Sequence, residues 1–124
     1  ALVEAPLPAV MDVLPPEQRL VSSFNDTALA RARDLAGPDS LALGVLFEAV
    51  GRDWRRRCEP VQALSVHADW KRLSRMRASE VVNAGYRLLC YTANDPTAFA
   101  PRWQWGVESV ISDDPARFAG HLPP

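Results

Sequence analysis

Short apolar or β-rich runs at 19–24, 41–47, 63–67, 86–91 and 107–112 begin roughly twenty residues apart, with helical patterns between them. A strand followed by a helix, repeated at that spacing, makes consecutive strands run parallel. The helix carries the chain back along one face of the sheet before the next strand begins. The segment at 86–115, YRLLCYTANDPTAFAPRWQWGVESVISDDP, states the unit twice: apolar strand, polar tip, acidic residue with proline, then helix. The strand tips of such a sheet share one rim, where folds of this class keep their chemistry.

Local signals give the units direction. Asp26, Asp69, Asp95 with Pro96, and Asp113 or Asp114 with Pro115 stand where helices are expected to begin, offering a carboxylate to orphan N–H groups and a preset first-turn angle. Gly37 with Pro38, Gly85 and Gly106 stand where helices are expected to end, as glycines able to take positive φ. Leu29, Ala32, Leu35 and Ala36 are assigned to one covering helix face, and Trp70, Leu73, Met76, Val81 and Ala84 to another. Ahead of the first strand, Leu2, Val3, Val10, Val13 and Leu14 suggest a partial helix that Pro6, Pro8, Pro15 and Pro16 keep short. Residues 121–124 read as a loose end. With 124 residues, 48% of them hydrophobic, and no long linker, the expectation is a single domain, 1–124, with a real core.

A net charge of -1 provides no global attraction to nucleic acid or to an anionic membrane, and no segment has enough consecutive apolar residues to span a bilayer. The opening residues lack the basic flank and apolar core of a signal peptide. Ala1 at the start fits a processed or truncated chain as well as removal of an initiator methionine. The two cysteines, Cys58 and Cys90, are too few for a disulfide scaffold, and Cys90 falls inside an apolar strand pattern. A reducing, cytoplasmic location is expected. Arg52, Arg55, Arg56 and Arg57, interleaved with Trp54, form the one dense basic cluster. It reads either as a phosphate-binding patch or as the solvated face of an outer helix, and the second reading is adopted, with no nucleic-acid partner.

On the parallel arrangement, Ser22, Ser23, Phe24, Phe47, Glu48, His67, Tyr91, Thr92, Asn94, Asp113 and Asp114 come near the rim, and alternation lets only about half of them point into a site. His67 reads as a general acid or base, or as a loop histidine bonded to backbone. Phe24 and Tyr91 form an apolar wall with Asn94 as a hydrogen-bonding neighbour, or are strand packing. Asp113 and Asp114 read as a helix cap ahead of Pro115. Ser22 and Ser23 have no GxSxG context, and neither histidine has a metal-ligand spacing.

The motifs LVSSFND, LGVLFE, LSVHADWKRL, AGYRLLCYTAND and WGVESVISDDP, in that order over roughly 20–115, resemble the C-terminal half of the glycerophosphodiester phosphodiesterase family, and its compact bacterial members in particular. Tyr91, Thr92 and Asn94 keep the family's strand-end pattern, while Glu108 stands in place of the usual aspartate and Ser112 in place of the usual threonine. The resemblance implies α/β architecture: parallel βα units corresponding to strands four to eight of a (β/α)8 barrel, here incomplete. It implies a parent that hydrolyses glycerophosphodiesters to an alcohol and glycerol 3-phosphate with a divalent metal, Mg2+ or Ca2+. The family's metal-binding and acid/base motifs come from its first three strands and do not occur in this sequence. The chain is therefore expected to hold no metal and to be silent alone.

What the resemblance carries over is the substrate-side wall: Phe24 and Tyr91 as apolar lining, with Ser23, His67 and Asn94 beside them. His67 matches a sixth-strand position, not one of the family's catalytic histidines. The expected partners are the glycerophosphodiester substrate of the full-length parent, and either a missing N-terminal half or a second copy at the open half-barrel. The alternative is a non-catalytic half-barrel that serves as a binding or oligomerisation module.

Overall fold

The computed structural model describes residues 20–118; the partial helix expected before residue 20 and the loose end expected at 121–124 lie outside the described residues. The elements run β1 (Leu20–Ser23), α1 (Asp26–Leu35), β2 (Ala42–Phe47), α2 (Trp54–Cys58), β3 (Ser65–Asp69), α3 (Arg75–Asn83), β4 (Arg87–Tyr91), α4 (Pro96–Phe99), a 3-10 turn (Ala100–Trp105), β5 (Ser109–Val110) and α5 (Pro115–Phe118). The five strands form one open parallel sheet in the order β1-β2-β3-β4-β5. Each strand thus lies beside its neighbour in sequence, as strands do in a stretch of (β/α)8 barrel, but among the described residues the sheet does not close.

The core occupies the helix-covered face. Val45, Phe47, Val66, Ala68, Leu88 and Cys90 alternate along the strands toward Leu29, Ala32, Trp54, Ala78 and Val81 of the helices. Gly44, Leu46, Ser65, His67, Leu89 and Tyr91 take the intervening strand positions and so belong to the opposite face. Cys58 and Cys90 are free and buried, and burial pushes both thiols up to about 12, so they pack as small apolar groups.

Helix boundaries correct several local expectations. Asn25, not Asp26, caps α1: its side-chain oxygen accepts from the Ala28 N–H at 3.1 Å, and Asp26 occupies the first turn. Ser74, not Asp69, caps α3 by accepting from Arg77 N–H at 3.1 Å; Asp69 is the last residue of β3. Asp95 caps α4 ahead of Pro96, as the sequence indicates. Gly85 and Gly106 both have φ of 93°, whereas Gly37 is not in the positive-φ region, and α1 ends in an extended Ala36.

The assigned helix faces are also trimmed. At roughly 100° per residue, Ala32 and Ala36 lie close to Leu29, whereas Leu35 stands about 120° round from it and is 67% exposed. Met76 is 63% exposed for the same reason, and Ala78 supplies the buried position beside Val81. Strand limits shift as well. In place of the run at 63–67 the hydrogen-bonded strand is Ser65–Asp69, and the fifth run, 107–112, shrinks to Ser109–Val110.

Candidate functional site at the strand rim

Parallel strands bring Phe24, Phe47 with Glu48, Asp69 with Trp70, and Tyr91 to neighbouring C-terminal tips. Phe24 and Tyr91 meet edge to face, with ring centroids 6.1 Å apart and planes at 89°. The Tyr91 hydroxyl donates to the Phe47 carbonyl, so the ring spans from β4 to the end of β2 and is held at both ends. Burial, then the nearby Asp69 and Glu48 carboxylates, hold the Tyr91 phenol above its ordinary range. The result is a fixed, neutral aromatic surface. Phe24 is 52% exposed, so this surface faces solvent.

The remaining sequence candidates have more local employment. Ser23 Oγ accepts from the Asn25 N–H at 2.9 Å and shapes the exit from β1. Asn94 Oδ1 accepts from Ser112 Oγ at 3.1 Å and from the Asp113 N–H at 2.8 Å, while its Nδ2 donates to Asp113 Oδ2 at 3.2 Å. Asn94 thereby ties the β4–α4 loop to the loop entering α5. That network gives Asp113 and Ser112 a role the cap reading did not supply.

His67 departs furthest from its expected position. It sits mid-strand, two residues before the end of β3, and only 1% of it is exposed. Its Nε2 lies 2.8 Å from Ser65 Oγ, and its Nδ1 has no partner among the described residues. Gly44 on the adjoining strand makes room for the ring, since a Cβ there would fall 2.4 Å from Nε2. Burial lowers the imidazole to about 4, so it is neutral at physiological pH. It is a packed interior histidine rather than a group at the rim.

Other rim residues escaped the sequence reading. Trp70 donates from Nε1 to the Thr92 carbonyl at 3.0 Å, packs on Phe99, and carries the Arg102 guanidinium 5.0 Å from its ring centroid. Arg57 turns inward from the basic cluster toward Phe24, whereas Arg55 and Arg56 keep to the solvated face. The signal for Arg57 was its spacing: it follows the buried Trp54 by three residues and adjoins the buried Cys58, so it shares their helix face.

No protein-family model matches the sequence, and no curated protein matches it. Solved structures do. A phosphodiesterase from Oleispira antarctica, solved in complex with the product sn-glycerol-3-phosphate, superposes with a TM-score of 0.81 at 28% identity, covering 93% of this chain and 48% of that one. The chain is similar to about half of that phosphodiesterase, which is consistent with a C-terminal half. A glycerophosphodiester phosphodiesterase from Parabacteroides distasonis shares the fold at a TM-score of 0.67 and 14% identity, covering 92% of this chain and 51% of that one. The chain therefore spans about half the length of the phosphodiesterases it matches, and the open sheet is the corresponding part of their barrel.

Proposed function

We propose that the chain forms part of a metal-dependent glycerophosphodiester phosphodiesterase, which cleaves glycerophosphodiesters to an alcohol and glycerol 3-phosphate, and that it supplies the substrate-side wall of that site. The observation that carries this reading is the match to the Oleispira antarctica enzyme over 93% of the chain. Phe24 and Tyr91 would give the wall, and Asn94 would hold the loops that frame it. Ser23 would set the turn that presents Phe24, and His67 would fill the interior behind.

A divalent ion, when bound, would stabilise negative charge on the phosphodiester. Among the described residues no three His, Cys, Asp or Glu side chains come together as a metal site. The described residues do not fit the ion. The role proposed for this chain is binding and shaping, with the metal and the acid/base groups contributed by the rest of the full-length protein.

The purified chain, incubated with glycerophosphocholine and Mg2+ or Ca2+, is expected to release no glycerol 3-phosphate above background. Turnover in the ordinary enzymatic range, about 1 to 1000 per second, would sink the claim that it is silent alone. A cytosolic setting belongs to the same reading and is supported by two free cysteines, Cys58 and Cys90. Cell fractionation that places the protein in an oxidising compartment would overturn it.

A second reading, a non-catalytic half-barrel that associates with copies of itself, is favoured by two observations. Among the described residues β1 and β5 each pair with a single strand, and a groove of about 480 Å³ walled by Trp103, Val110 and Phe118 runs beside β5.

A further inference from the structure

We infer that Arg57 is the positioning residue that fixes Phe24 against Tyr91 and so sets the shape of the rim wall. The inference rests on the reading of that pair as the substrate-side surface. Its geometry stands on the structure alone.

One guanidinium reaches three chain segments. Nε donates to Asp26 Oδ1 at 2.8 Å, Nη1 to the Leu46 carbonyl at 3.0 Å, and Nη2 to the Phe24 carbonyl at 2.9 Å. The same group lies 4.5 Å from the centroid of the Phe47 ring. The exit of β1, the end of β2 and the first turn of α1 are therefore held by one planar fork, whose N–H directions cannot vary independently. The contacts close on themselves. Arg57 holds the Phe24 backbone, the Phe24 ring meets Tyr91, the Tyr91 hydroxyl bonds to the Phe47 carbonyl, and the Phe47 ring lies under Arg57.

The neighbouring arginines show what a solvated cluster looks like. Arg55 and Arg56 pair within their own helix or its cap, at 3.7 and 4.0 Å, with both partners exposed. Arg57 differs in direction and burial: its side chain is 26% exposed and its partners lie on other elements. The ion pair to the exposed Asp26 contributes little by itself. The two carbonyl bonds do the positioning, because a half-exposed Phe24 ring has few packing contacts to choose its place, and its backbone must choose it instead.

The test is nuclear Overhauser contact between ring protons of Phe24 and Tyr91 in this chain, alongside thermal melting. Lysine at position 57 keeps the charge opposite Asp26 but cannot fork to two carbonyls. In R57K the Phe24–Tyr91 cross-peaks are expected to disappear while those of Phe99–Trp103, whose centroids are 5.0 Å apart, persist. R57M should behave alike, and D26N should keep the contact. A folded R57K that retains the Phe24–Tyr91 cross-peaks overturns the inference. Should the variants fail to fold, the natural chain still decides it: absence of contacts between the Arg57 side chain and residues Phe24 and Phe47 overturns it equally. Glycerophosphocholine titrated onto the natural chain tests the wall separately. If Phe24 and Tyr91 signals do not move while the Arg57 contacts are present, the substrate reading fails and the clamp stands.

Discussion

His67 and Gly44 are one steric unit, and each predicts something about the other. Burial brings the folded imidazole to about 4, against about 6.5 in the unfolded chain. The unfolded chain therefore takes up a proton that the folded chain refuses. Stability is full above about pH 6.5 and falls as pH drops toward about 4, by up to about 3 kcal/mol. Urea midpoints across that window should fall for the natural chain and stay flatter for H67Q; parallel curves would remove His67 as the proton acceptor. Gly44→Ala places a Cβ 2.4 Å from His67 Nε2 and 2.9 Å from Ser65 Oγ. It should cost about 1–3 kcal/mol, and His67→Ala in the same chain should recover much of the loss in a double-mutant cycle. Additive losses would show that the ring is not what the methyl meets. Sequence showed a histidine near a strand end. It could not show that a residue without a side chain on the next strand had made room for it.

The helix ends were legible wherever the signal is covalent or immediate. Pro96 presets a first-turn angle and Asp95 caps it, and Gly85 and Gly106 adopt a φ of 93° that other residues avoid. They were illegible where more than one acceptor stands between a strand and the next helix: Asn25 beside Asp26, and Ser74 five residues beyond Asp69, do the capping. The choice there depends on where the strand stops, which is set by pairing with its neighbours. The two positive-φ glycines separate backbone strain from packing. Gly85 has open space where a Cβ would go, whereas at Gly106 the Cβ would lie 2.9 Å from Val82. Gly85→Ala should cost about 1 kcal/mol from the backbone, and Gly106→Ala at least about 1 kcal/mol more. Equal losses in chemical denaturation would mean that Val82 yields freely.

At the scale of the molecule, the sheet has two ends. Among the described residues β1 and β5 each have one strand partner, and the fold corresponds to about half of the phosphodiesterases it resembles. Unpaired parallel edges favour addition of another strand, so sedimentation of the isolated chain should show association that grows with concentration. A strictly monomeric, stably folded chain would remove the self-association reading. The parallel direction of the strands was determined by the sequence itself, because the strand–helix period and the residues ending each helix act locally, whereas their order in the sheet is decided by the fold. The family resemblance came from the same short segments, read in order. The tertiary structure alone decided that Phe24 meets Tyr91, that Tyr91 reaches Phe47 across 44 residues and that Arg57 reaches Phe24 across 33. Those contacts depend on the register and twist of four neighbouring tips. A two-residue change in where a strand begins, as at β3, turns a rim residue into an interior one.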